Sequence, residues 1–276
     1  MLIVDPPPGW ETPAAVLQGI KDLNFHNDTA IMFYPRLSAM DRLRGRVEVF
    51  ANGGAVAGIL SRSDDPDSVM PTEPEPLLRA GMRLVRDISA NERWRLTQTG
   101  INILQAVRST ERDRSPLRTL ACGASASSDW AYLAPRRFAQ SVLRSIERGT
   151  RWAVMRPHDE PAQRRVVEQV SEFFAGLQAA GAFKSVVGGE AFLVICDERI
   201  NDPHEHPGAL NILVQFAANH AGGYHSFMIT HTVRGSTVRP IVVNRLEASL
   251  LVADELEREI TIRVDQDRDF VQMLAG

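Results

Sequence analysis

The chain has 276 residues, of which 44% are hydrophobic and 24% charged, and its formal net charge is −3. This composition is ordinary for a globular protein with a sizeable core, and the slightly acidic balance argues against a domain that binds polyanions as a whole. No stretch approaches the ~20 consecutive apolar residues of a membrane span. Residues 1–9 lack the charged and apolar regions of a signal peptide.

Cysteine and basic residues give weaker information. Cys122 and Cys196 have neither metal-site nor C-x-x-C spacing, so we expect a reducing compartment, no structural disulfide, and a buried Cys196. Only Lys21 and Lys184 are lysines, and all other basic side chains except histidine are arginines. This bias suits multidentate interface contacts, and it equally suits a GC-rich genome.

The N-terminal residues predict a βαβ unit. Residues 2–5 form a short, mostly apolar run that ends at Asp5 before three prolines, which is typical of a buried strand leaving a sheet. Thr12 before Pro13 predicts the start of a helix that extends to residue 23. Residues 30–34 predict a second strand, ended by Pro35. Strand, helix and strand in this order imply parallel pairing.

The next region has weaker patterns. Residues 46–50 alternate less cleanly, and residues 53–60 predict a short helix whose small residues pack closely on a neighbour. Residues 64–76, acidic and rich in proline, predict a surface loop. Residues 77–88 are weakly helical, a second helix is possible from residue 89, and residues 100–107 predict a strand.

Two helices follow with clear start and stop signals. Pro135 begins a predicted helix that ends at Gly149, and Asp159 is expected to cap another that ends at Gly181. Between them, the apolar residues 152–155 predict a strand.

Strand patterns dominate the rest of the chain. Residues 192–196 are continuously apolar, which predicts a strand covered on both faces. Residues 210–216 predict a half-exposed strand, with residues 227–233 as its antiparallel neighbour. The sequence therefore predicts an α/β fold: a layered mixed sheet, largely parallel, with helices on both faces, an antiparallel edge and an extended C-terminal arm.

Near-matches to catalytic motifs lack essential residues. Gly53 and Gly58 have P-loop spacing, but Ile59 and Leu60 stand where the motif needs Lys and Ser/Thr. Residues 123–127 resemble a nucleophile elbow, with Ser127 in place of its second glycine. We therefore predict no enzymatic activity and no cofactor.

Three further patterns have alternative interpretations. His204 and His206 could share a metal ion if the chain is extended there, or they could lie in a solvated loop. Residues 158–160 are more simply a helix N-terminus, where carboxylates meet the positive end of the dipole. The arginines near residues 136–151 and 164–165 could form solvated helix faces or pair with a partner subunit.

An ordered set of short motifs resembles the contractile phage tail sheath family. The set, with the residues at which each motif begins, is Phe-Tyr-Pro-Arg (Phe33), Gly-Ala-Val-Ala-Gly (Gly54), Gly-Ile-Asn (Gly100), Arg-Thr-Leu (Arg118), Trp-Ala-Tyr (Trp130), Arg-Arg-Phe (Arg136), Ser-Ile-Glu-Arg-Gly-Thr (Ser145) and Asp-Glu-Pro (Asp159). The resemblance covers residues 1–235. Family members carry a longer region before the strand at residues 2–5, so we expect a short or N-terminally truncated member.

The resemblance implies a sheath-like α/β domain at residues 1–235 and a C-terminal extension or linking arm at residues 236–276. It implies subunits that stack as rings or a helix around an inner tube, linked by arms that add strands to a neighbour's sheet. The implied partners are other sheath subunits, an inner tube protein, and baseplate or terminator proteins, without nucleic acid or membrane. Assembly is expected in the host cytoplasm, and the final location in a virion tail or phage-like particle.

For the contacts between subunits, the helix arginines and the β-prone tail are the candidates. These residues are Arg144, Arg148, Arg164, Arg165, Ile241, Val242, Val243, Ile260, Ile262 and Val264. Two alternatives to a sheath subunit are a protein that caps a sheath or adapts it to a neighbour, and a metal-dependent α/β protein that binds a small molecule through His204 and His206.

Overall fold

A computed structural model of the chain describes residues 1–63, 74–78, 81–106, 115–122, 130–156, 159–183, 191–202, 204, 208–217 and 224–241. Within these ranges the chain forms five α-helices, one 3₁₀ helix and ten strands in three sheets, one of which is parallel. The predicted mixture of helices and sheets is confirmed, but the prediction of one mixed, largely parallel sheet is wrong, because two of the three sheets are antiparallel. Internal contacts divide the chain into two compact units, Met1–Phe138 and Ala139–Gly276.

The elements follow in chain order. They are β1 (Leu2–Val4), α1 (Pro13–Leu23), β2 (Ala30–Tyr34), β3 (Leu37–Asp41), β4 (Arg46–Phe50), α2 (Gly53–Ser63), β5 (Arg83–Leu84), α3 (Ala90–Gln98), β6 (Ile101–Ile103), α4 (Leu133–Thr150), the 3₁₀ helix (Arg151–Met155), α5 (Glu160–Ala179), β7 (Phe192–Ile195), β8 (Ala209–Phe216), β9 (His225–Thr232) and β10 (Gly235–Ile241). No helix in the described ranges is long and apolar enough to cross a membrane.

The parallel sheet of the first unit has the order β1-β2-β6. Leu2 pairs with Ala30, which confirms the predicted βαβ unit. The Thr12 side chain accepts a hydrogen bond from the N–H of Ala15 and caps α1, as expected.

Alternate residues of β2 enter two separate apolar clusters. Ala30, Met32 and Tyr34 pack with α1 and α3, through Val16, Ile20 and Leu96. Ile31 and Phe33 pack with α2, through Val56, Ile59 and Leu60. All five β2 residues are buried, as expected for a strand whose side chains point alternately into two cores.

The second sheet of this unit is antiparallel, with the order β4-β3-β5. The weak helix predicted over residues 77–88 is wrong, because Arg83 and Leu84 pair with β3 and Leu77 forms a bridge with Gln105. Met40, Val47 and Val49 of this sheet are between 52% and 62% exposed, so one part of its surface is apolar.

The second unit contains an antiparallel sheet of order β10-β9-β8-β7. The predicted pairing of residues 210–216 with residues 227–233 is confirmed by the β8–β9 register, in which Val214 is opposite Phe227. The predicted half exposure of this strand is wrong, because Asn211 and Gln215 are buried, where they donate to the Ile200 carbonyl and the Ser226 hydroxyl. Helix α5 packs on the sheet through Phe174, whose ring lies 5.1 Å from that of Phe192 and 5.7 Å from that of Phe216. These rings form the centre of the core in this unit.

The strand predicted at residues 152–155 is wrong. This run continues α4 as the 3₁₀ helix, a common ending for α-helices. Trp152 donates a hydrogen bond to the Gln169 side chain at 2.9 Å, and Ala153 is fully buried. Four apolar residues have no periodicity that separates a strand from a helical turn, so the conformation here depends on contacts with α5, β8 and β9.

Candidate assembly surfaces

Two of the sequence motifs interlock inside the first unit. Asn102 accepts a hydrogen bond from the N–H of Arg118 at 2.7 Å and donates to the Arg118 carbonyl at 2.8 Å. Gly100 has φ of +84°, and a Cβ built there would lie 2.5 Å from the carbonyl oxygen of Thr119. The Gly-Ile-Asn motif therefore packs directly against the backbone of the Arg-Thr-Leu motif.

A third motif joins the same region. Arg136 lies 5.2 Å from the Trp130 ring and pairs with Asp28 at 3.3 Å. Burial lowers the pKa of the Arg136 guanidinium, and Asp28 opposes that shift. The Thr119 hydroxyl donates to the Trp130 carbonyl at 2.7 Å. These residues hold the first unit together, and none of these contacts exposes a nucleophile or a general base.

The near-matches to catalytic sites have structural partners or lie outside the described residues. The Asp5 carboxylate accepts the N–H groups of Asn52 and Gly53, at 2.9 and 2.7 Å, so it occupies the N-terminus of α2, where a P-loop would bind phosphate. Asp159 caps α5 by accepting the N–H of Ala162. Residues 123–127 and His158 lie outside the described residues.

The metal-like pattern is only partly described. His204 is exposed, and His206 lies outside the described residues. In the described part of the chain, no group of three or more His, Cys, Asp or Glu side chains is placed to hold a metal ion. Cys196 is buried, as expected, and burial raises the pKa of its thiol to about 12, with Asp197 adding to the shift and Asn201 opposing it.

The four predicted interface arginines differ in their contacts. Arg164 forms an ion pair with Glu160, one helical turn earlier. Arg165 lies over the Trp152 ring at 4.9 Å. Arg144 and Arg148 are exposed on α4 and form no ion pair with any described residue.

Of the predicted tail residues, only Ile241 is described. It ends β10 and packs, partly buried, against the cluster of Ile195, Leu213 and Met228. Val242, Val243, Ile260, Ile262 and Val264 lie outside the described residues. Residues 236–241 therefore belong to a hairpin with β9, and the role of the tail in linking subunits stays a prediction.

The two outer strands of the four-stranded sheet differ in their outer edges. The N–H of Ala217 donates to the Ala191 carbonyl, and backbone groups alternate sides along a strand, so those of Phe192 and Val194 face outward from β7. The same alternation, carried through β8 and β9, puts Ser236, Val238 and Pro240 on the outer edge of β10.

Only one of these edges is a complete hydrogen-bonding surface. Pro240 has no N–H, which is typical of an edge strand protected against further pairing. No described strand pairs with the outer edge of β7. The sequence did not reveal this edge: the apolar run at residues 192–196 predicts a strand covered on both faces, whereas Phe192, Leu193 and Val194 are only partly buried. The exposed Glu168 and Glu172 on α5 were also not predicted, although their spacing of four was an available signal.

Comparison with known proteins gives matches only among solved structures. No family model matches the sequence, and no curated protein does. A cryo-EM structure of the anti-feeding prophage (AFP) baseplate contains a chain that is 20% identical, with a TM-score of 0.59 over 79% of this chain. The PVC sheath complex of an extracellular contractile injection system, in the contracted state, is 21% identical, with a TM-score of 0.57 over 73%.

The contracted AFP helical sheath is a third match, 18% identical, with a TM-score of 0.55 over 79% of this chain. The chain spans 56% to 57% of the length of these three chains. It therefore shares the fold of sheath and baseplate components of contractile particles, and the predicted resemblance to the sheath family is confirmed for the fold. The matching structures are structural assemblies, and none is described as an enzyme.

Proposed function

We propose that this chain is a non-enzymatic structural subunit of a contractile tail sheath or of a phage-like contractile injection system. The observation that carries the proposal is the fold shared with contracted sheaths over 73% to 79% of the chain. The ordered motifs also support the proposal, because Gly100, Asn102 and Arg118 contact each other to stabilise the fold and do not form a reactive site.

The proposed partners are further sheath subunits, an inner tube protein, and baseplate or terminator proteins. Assembly takes place in the host cytoplasm, and the chain ends in a virion tail or a phage-like particle. The two clusters on alternate residues of β2 support the finer part of the predicted fold, in which helices cover both faces of the parallel sheet.

Subunits are linked by strand addition at the outer edge of β7. Phe192 and Val194 offer outward backbone N–H and C=O groups there, which is what an added strand needs. Residues 242–276 supply the linking strand to a neighbouring copy. The β10 edge is a poorer acceptor, because Pro240 interrupts its donors.

Mass spectrometry and immunogold electron microscopy of contractile particles, purified from cells that produce the chain, test the proposal. We expect the chain in many copies per particle and the label along the tail or at its end. Particles that lack the chain, from cells in which it is abundant, would contradict the proposed function.

A further inference from the structure

Two exposed rows of opposite charge lie on helices of the second unit. Arg144, Arg148 and Arg151 are separated by four and then three residues, so they share one side of α4 and its 3₁₀ continuation. Glu168 and Glu172 are separated by four residues on α5. We call the first set the arginine row and the second the glutamate row.

The arginine row faces away from the core. Val142, Leu143 and Ile146 of α4 are buried, while Arg144, Arg148 and Arg151 are all exposed. None of the three forms an ion pair with a described residue. Like charges four residues apart destabilise a helix. The helix dipole offsets this cost only for basic residues at the C-terminal end of the helix, where Arg148 and Arg151 lie. Nothing within the chain therefore accounts for the positive charge at Arg144.

The glutamate row is equally without partners in the described residues. Glu168 and Glu172 are exposed and form no ion pair there, whereas Glu160 on the same helix pairs with Arg164. The surface next to the row consists of small exposed residues, Ala175, Gly176 and Ala179. A Cβ built on Gly176 would meet no atom within 4 Å, so another helix can approach closely here.

The two rows match each other in spacing and charge. Each has side chains one helical turn apart, roughly 6 Å along the axis. Rows of residues four apart are also the ridges that interdigitate when two helices pack. The rows do not pair with each other within the chain, so a second copy is the occupant that neutralises both at once.

We propose that the arginine row of one copy docks against the glutamate row of the next copy. This inference deepens the proposed function and rests on it, since it names a contact between subunits. The contact is heterologous: it uses a different surface on each copy, so repeating it generates a ring or a helix and not a closed dimer.

Charge reversal of each row in the full chain tests the docking. The first variant carries Arg144→Glu and Arg148→Glu, and the second carries Glu168→Arg and Glu172→Arg. We expect each alone to need about tenfold or more higher concentration to assemble, because like charges then face each other. An equimolar mixture restores assembly, since each reversed row meets a reversed partner. Sedimentation velocity and negative-stain electron microscopy give the readout.

A control variant, Arg42→Glu with Arg95→Glu, makes the same change of net charge as the first variant, at exposed sites in the first unit, and should assemble normally. If both reversed variants assemble at the same concentration as the wild type, the docking is overturned and the proposed function still stands. A wild-type chain that stays monomeric at every concentration overturns both. Fluorescence anisotropy also measures the binding of labelled duplex DNA. If reversal of the arginine row abolishes this binding and leaves assembly unchanged, the row binds nucleic acid and the docking is overturned.

Discussion

At the scale of single residues, His231 shows how a buried polar group connects two elements. The Thr150 hydroxyl donates to the Ile146 carbonyl at 2.7 Å, so its one proton is used there. His231 Nε2, 2.8 Å away, then donates to Thr150. Nδ1 lies 2.7 Å from the Ser236 hydroxyl, which donates to it when the imidazole is neutral. The imidazole joins the end of α4 to the β9–β10 hairpin, and its burial favours the neutral form by lowering its pKa.

Burial lowers the pKa of His231 below its ordinary value of 6.5; the nearby Glu147 opposes the shift and Arg151 adds to it. The unfolded chain takes up the proton first as the pH falls, so stability is complete above pH 6.5 and declines as the pH approaches the folded-state pKa. We expect His231→Gln to reduce this decline. Urea denaturation between about pH 7.5 and 5, a range that includes the ordinary histidine pKa, measures the unfolding free energy at each pH. If that free energy falls equally with pH in the variant and the wild type, His231 is not the group responsible.

Gly100 and Gly45 form a matched pair for testing the motif contact. Both have positive φ, +84° and +67°, but only Gly100 faces a backbone oxygen, that of Thr119 at 2.5 Å. We expect Gly45→Ala to cost about 1–2 kcal/mol of unfolding free energy for its left-handed conformation. Gly100→Ala should cost about 1–3 kcal/mol more, because its methyl group overpacks the contact. Denaturant unfolding compares them, and equal losses would show that the close approach is unimportant.

At the scale of elements, the outer edge of β7 can be blocked without disturbing its pairing to β8. The N–H of Val194 points outward, so Val194→Pro removes a donor for an added strand and keeps the internal ladder. We expect a folded protein, by circular dichroism, that no longer assembles. The control, Val238→Pro, changes the outer edge of β10, which already contains Pro240, and should assemble. Loss of assembly in the control alone would move the linking site to β10.

Element types were predictable where the local signal was strong. Thr12 with Pro13, and Asp159 with Pro161, marked helix starts that the structure confirms, because caps act within four residues. The strand predicted at residues 152–155 is wrong because the conformation of this segment depends on contacts with α5, β8 and β9. The ribbon of β3 and β4 was not predicted, since its exposed Val47 and Val49 give no burial pattern.

At the scale of the whole molecule, two truncations separate folding from linking. Removing residues 242–276 leaves every described strand intact, so we expect unchanged thermal unfolding and lost assembly. Removing residues 235–276 also deletes β10, including Ser236, which bonds His231, and Ile241, which packs on Met228. That protein should unfold at lower temperature. Assembly that persists in the first truncation would exclude the tail as the linking arm.

The sequence by itself determined the α/β class, the βαβ start, the long helices and the resemblance to sheath proteins, because these depend on local patterning and on the order of short motifs. Only the tertiary structure showed why the motifs belong together: parallel pairing of β2 with β6 brings Gly100 and Asn102 against the segment at Arg118 and Thr119. It also separated the arginines engaged within the chain, such as Arg165 on Trp152, from those available to a partner. Such contacts join residues distant in sequence, and no local pattern encodes them.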